Sequence, residues 1–71
     1  MSSLEKPIVE WTRRVRAEYI EMPGLSLTRW QMRRMWLLDP QICDAVLERL
    51  VASSFLRRRS DNAYVREDGR F

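Results

Sequence analysis

The stretch from Leu27 to Val51, LTRWQMRRMWLLDPQICDAVLERLV, contains two helix starts in close succession, and they decide the fold. Thr28 is placed as an N-cap, Gln31 stands three residues later to complete a capping box, and Leu27 and Met32 have the spacing of a hydrophobic staple. A helix over 29–36 follows. Asp39-Pro40 then supplies a second N-cap with proline at the first helical position, so a third helix should run from Pro40 to Ser53. Leu37-Leu38 is left as a tight connection. Helical spacing places Ile42, Cys43, Val46, Leu47, Leu50 and Val51 on one broad apolar stripe, which is expected to form the centre of the core.

Upstream, Ile8, Trp11, Val15, Tyr19 and Met22 recur at steps of three or four and predict an amphipathic first helix over 8–22, with Pro7 tolerated in its first turn. Glu10, Arg13, Arg14, Glu18 and Glu21 occupy the other face, and Pro23-Gly24 ends the helix. Downstream, Phe55 to Arg59, the turn residues Ser60-Asp61-Asn62, and Ala63 to Arg66 read as a β-hairpin over 55–66. Glu67 to Phe71 form a polar tail expected to fray.

At 71 residues the chain has room for a single domain spanning 1–71. Thirteen Lys plus Arg against ten Asp plus Glu give a net charge of +3, and all but Lys6 of the cations are arginine, the side chain suited to bidentate contacts with phosphate or carboxylate. The absence of histidine, of a nucleophile elbow and of a glycine-rich phosphate loop argues against an enzyme, and no cofactor or metal is expected. Cys43 lies within the apolar stripe and reads as a small buried hydrophobe. A lone cysteine and the lack of a long apolar run point to a cytoplasmic protein with no membrane partner.

The order helix, helix, tight turn, helix, hairpin is that of a mainly α, three-helix winged helix-turn-helix. From Glu21 to Arg66 the residues strengthen this reading. With Glu-Met-Pro-Gly-Leu at 21–25, Leu-Thr at 27–28, Leu-Asp at 38–39 and Tyr-Val-Arg at 64–66, the stretch resembles a family of small bacterial winged-helix proteins. The resemblance implies duplex DNA binding, as in a small transcriptional regulator or accessory factor. Leu37, Ser54 and Asn62 stand where that family has glycine, and Met32 where it has a small alanine, so the core is expected to repack around Met32.

The resemblance also places Gln41, Asp44, Ala45 and Glu48 on the exposed face of the third helix. Gln41 suits an adenine contact, whereas Asp44 and Glu48 repel phosphate. If Asp61 and Asn62 are the central residues of a two-residue turn, Arg59 pairs with Tyr64, Arg58 with Val65 and Arg57 with Arg66. Arg57, Arg59, Tyr64 and Arg66 then share one face of the wing. The expected DNA contacts are these four residues with Arg33, Arg34 and Gln41, and they favour the backbone over the bases.

The second reading is a protein-interaction module, compatible with a homodimer, whose surface would include Trp30, Leu37, Asp44 and Glu48. Trp30, Arg33, Arg34 and Leu37 fall on one side of the second helix. A chain this short is nevertheless expected to draw Trp30 into its core beside Trp11 and Trp36.

Overall fold

The capping box that defines the second helix closes as the sequence predicts. In the computed structural model, which describes residues 4–67, the Gln31 amide donates to Thr28 Oγ1 at 3.1 Å and the Thr28 amide to Gln31 Oε1 at 2.9 Å. The two flanking staple residues, Leu27 and Met32, are both buried. The elements in chain order are α1 (Glu5–Glu21), β1 (Leu27–Thr28), α2 (Arg29–Trp36), α3 (Pro40–Ala52), β2 (Leu56–Arg58) and β3 (Ala63–Arg66). The protein is thus mainly helical, with three helices and a small antiparallel sheet of strand order β1-β3-β2.

Two helix boundaries differ from the sequence expectation at α1. It begins at Glu5, ahead of the expected Ile8, because a proline at the third helical position removes an N–H that has no intrahelical partner anyway. It ends at Glu21; Met22 leaves the helical conformation and is exposed, so it does not join the buried face. The end of α3 falls at Ala52, one residue before the expected Ser53. There the Ser54 amide donates to Val51 O and the Phe55 amide to Leu50 O, both at 3.0 Å, which is the Schellman pattern.

That pattern needs a left-handed residue, and Ser54 supplies it with φ 63°. Leu37, which closes α2, has φ 52°, and Asn62 in the hairpin turn has φ 70°. These are the three non-glycine residues of positive φ among those described, and all three stand where the resembled family has glycine. Asn tolerates this region well; leucine does not, and the Leu37 side chain is 89% exposed, so packing does not offset the strain. Leu37→Gly should therefore raise the unfolding free energy by about 1 kcal/mol, the left-handed penalty exceeding glycine's added freedom in the unfolded chain. Urea titration followed by circular dichroism checks it; a destabilised variant would show that Leu37 makes a contact its exposure does not reveal.

The hairpin corrects the expected register by one residue. The Asn62 amide donates to Arg59 O at 2.9 Å and the Arg59 amide to Ala63 O at 2.8 Å, closing a three-residue loop of Ser60, Asp61 and Asn62. The pairs are Leu56 with Arg66, Arg57 with Val65 and Arg58 with Tyr64. Arg57 therefore does not face Arg66, and the like-charge pair expected from a two-residue turn is absent. The extra left-handed residue, Asn62, is the cause. Glu67, expected in the tail, still donates its amide to Phe55 O at 2.9 Å. The remainder of the expected tail lies outside the described residues.

Sequence reading also missed β1, a strand only two residues long, whose Leu27 and Thr28 serve the staple and cap of α2 as well. They pair with Tyr64 and Ala63, joining the hairpin to the start of α2. The core lies beneath this junction. Val15 and Tyr19 of α1, Met32 of α2, Cys43, Val46, Leu47 and Leu50 of α3, and Leu56 of β2 are buried together. Met32 fills the space between α2 and α3 as expected. On α3, however, Ile42 is half-buried and Val51 exposed, so the buried stripe is narrower than its apolar content suggests. Trp11 and Trp36 are half-buried with ring centroids 6.2 Å apart. Trp30 is 60% exposed and does not enter the core.

Candidate functional site

The register correction determines which side chains of β3 join Arg58 over α3. Alternation puts Leu56, Arg58, Tyr64 and Arg66 on one side of the hairpin and Arg57 and Val65 on the other. Leu56 is buried, so its side is the one turned toward the helices. Beyond the core, Arg58 and Tyr64 continue that side over α3 and form an open groove of about 450 Å³ with Arg29, Asp44, Leu47, Glu48 and Val51. At the hairpin tip the groove runs on past Thr28, Trp30 and Asn62.

Arg29 and Asp44 face each other across the α2–α3 junction, with Arg29 Nη1 3.0 Å from Asp44 Oδ1. Both remain more than half exposed, so the pair adds little stability; it fixes the direction of the guanidinium. Asp44 thus has a structural partner that sequence reading did not find, because the two residues are far apart in the chain. Glu48 has no ion-pair partner among the described residues. Arg49, the remaining charge within α3, is turned to α1, where Nη2 lies 3.1 Å from Glu5 Oε2. Floor and walls of the groove therefore carry two cations, two carboxylates and a tyrosine ring.

The expected contact residues divide. Tyr64 lines the groove, half-buried, and its backbone carbonyl accepts from the Tyr19 hydroxyl at 2.8 Å. Arg59 is occupied within the turn: Nη2 is 2.8 Å and Nε 3.3 Å from the Asp61 carboxylate, which also accepts from the Ala63 amide. The Arg59 guanidinium holds the Asp61 carboxyl below the usual carboxylate range, and the same bond raises Arg59. Arg57 is exposed on the face away from α3. Arg66 lies over the Phe55 ring, 5.2 Å from its centroid, and Arg16 of α1 lies over the same ring at 5.0 Å. The four residues expected to share a face are therefore dispersed.

On α2, Arg33 is half-buried and its Nε is enclosed without a hydrogen-bond partner, while Arg34 is exposed with its guanidinium 4.7 Å from the Trp30 ring centroid. Gln41 is exposed at the start of α3, its amide bonded to the capping Asp39 carboxylate at 2.8 Å. Cys43 is fully buried, and burial pushes its thiol above the ordinary value, with Asp44 adding to the effect. Arg29 and Arg58, which sequence reading left out, are the cations that line the groove. The signal that would have found Arg58 is its alternation with the apolar Leu56, which puts the two side chains on one face of the strand whatever the pairing.

Among the described residues no helix is long and apolar enough to cross a membrane, and no group of three or more His, Cys, Asp or Glu is placed to hold a metal ion. The chain matches no family model, no curated protein and no solved structure.

Proposed function

We propose that this chain is a winged-helix domain that holds duplex DNA by its phosphate backbone, as a small regulator or accessory factor. The observation that carries this reading is the groove in which Arg58 from the hairpin and Arg29 from α2 stand beside the rings of Tyr64 and Trp30. Arginine with neighbouring aromatic surface is the composition that meets phosphate and sugar. The helix order, the tight α2–α3 turn and the resemblance from Glu21 to Arg66 support the same reading. Arg29 gives one of its five N–H donors to Asp44 and keeps the others for a phosphate oxygen. Arg58 and the outer Arg57 would follow the strand.

The acidic groups determine the mode. Glu48 and Asp44 oppose insertion of α3 against the backbone and can themselves accept only from a cytosine amino group. Weak sequence preference and a steep fall of affinity with salt follow. In fluorescence anisotropy against duplex DNA, Arg58→Ala should bind about tenfold more weakly, as for loss of one charged hydrogen-bonding group. Arg59→Ala should change little, since Arg59 already serves the turn, and Glu48→Gln should tighten binding. Absence of binding at low salt, or equal losses at Arg58 and Arg59, would end this reading.

A further inference from the structure

The outer side of α2 meets the end of that groove at Trp30, and beyond Trp30 it carries features the DNA reading does not use. Trp30, Arg34 and Leu37 succeed one another at helical spacing, opposite the buried Met32. Trp30 is 60% exposed and Leu37 89%, and Met35 at the margin is 49% exposed. Arg34 lies over the exposed Trp30 indole, its guanidinium 4.7 Å from the ring centroid in a cation–π contact. Leu37 combines full exposure with a left-handed backbone, two unfavourable choices at a position where glycine would avoid both.

The charge of this face identifies its occupant. All charged residues of α2 are arginine, and of these Arg29 is answered by Asp44, while Arg33 and Arg34 have no carboxylate partner among the described residues. A surface that pairs exposed aromatic and aliphatic groups with unanswered guanidinium groups complements a segment bearing both apolar side chains and carboxylates. Nucleic acid fits it less well, because an aliphatic side chain such as Leu37 has no stacking surface to offer a base.

We propose that the Trp30–Arg34–Leu37 face of α2 docks an acidic amphipathic helix of a partner protein. Apolar side chains of that helix, one turn apart, cover Trp30 and Leu37, and its carboxylates meet Arg34 and Arg33. The contact is helix against helix, and it meets the groove of Arg58 and Tyr64 only at Trp30.

The test is heteronuclear NMR of the full chain titrated with a stapled amphipathic peptide of Leu and Glu, with a matched peptide carrying Lys in place of Glu, and with duplex DNA. The Leu/Glu peptide should shift the Trp30 indole and the Leu37 amide, and the Lys version should bind at least about tenfold more weakly. Trp30→Ala and Leu37→Gly should abolish the shifts while both variants stay folded, the second with raised stability. Arg58→Ala should leave peptide binding unchanged, which separates this face from the groove. No shift from the Leu/Glu peptide overturns the proposal, as do shifts centred on Tyr64. A Leu37 amide that moves with protein concentration alone, or that responds more strongly to duplex DNA than to the peptide, also overturns it, by showing a second copy or nucleic acid as the occupant.

Discussion

Met32→Ala should lower the unfolding free energy by about 2–5 kcal/mol, the range for truncating a fully buried long side chain. Met32 has no exposed surface and bridges the helix whose cap holds β1 to the helix that forms the groove floor. The loss has two parts: apolar surface returned to water, and a void that α2 and α3 close only partly because each is anchored elsewhere. For α2 the anchor is the capping box, and for α3 the Schellman closure with Leu50 and Phe55. A domain of this size draws only about 3–5 kcal/mol from its core, so the truncation should leave much of the chain unfolded at ordinary temperature. Met32→Leu keeps the volume and should cost less than about 1.5 kcal/mol. Urea titration of the three proteins by circular dichroism makes the comparison, and a mild loss in Met32→Ala would mean that the interhelical space collapses when emptied.

The parts of the fold that were legible in the sequence are those whose causes are local. Thr28 with Gln31, and Asp39 with Pro40, set the starts of α2 and α3 without reference to the rest of the molecule, and both starts stand as read. The end of α1 and the width of the α3 stripe depend on what packs against them, and there the periodic pattern overstated burial at Met22 and Val51. The hairpin shows how one residue of turn chemistry moves a whole surface. Asn62 in the left-handed region adds a loop residue, the pairing slips by one, and Tyr64 and Arg66 take the place beside Leu56 and Arg58 that the shorter turn would have given to Val65. Trp30 was misplaced for a different reason. The need of a short chain for apolar burial is a global argument, and here Trp11 and Trp36 already cover the end of the helix pair, while Arg34 stabilises Trp30 outside. Arg29 was not legible as a groove residue, since its partner Asp44 arrives only through the α2–α3 packing.

Tyr19 gives the second large effect, because it ties α1 to the strand that carries the groove. Its ring is fully buried and its hydroxyl donates to the Tyr64 carbonyl at 2.8 Å. Tyr19→Phe keeps the ring but leaves that carbonyl without its side-chain donor, and should cost about 1–3 kcal/mol. The same bond makes stability sensitive to alkali. Burial pushes the Tyr19 hydroxyl from its ordinary 10.0 up to about 12, with the Leu27 backbone drawing it partly back. The folded state thus favours the neutral phenol: the unfolded chain loses this proton first, near pH 10, and the folded chain only near 12. Stability from this group is complete below pH 10 and declines as pH rises through that interval, since the unfolded state there binds fewer protons than the native one. Urea midpoints measured across the interval should fall for the wild type more steeply than for Tyr19→Phe, which has no such proton to lose. Parallel slopes would place the alkaline loss elsewhere. In the same variant, amide exchange along β3 should accelerate before that of α2, because the lost bond holds the strand at Tyr64 while the capping box of α2 is untouched. The Tyr19 phenol thus adds a tie from the first helix to the strand that carries Tyr64, a link that neither the hairpin sequence nor the α2–α3 stretch contains.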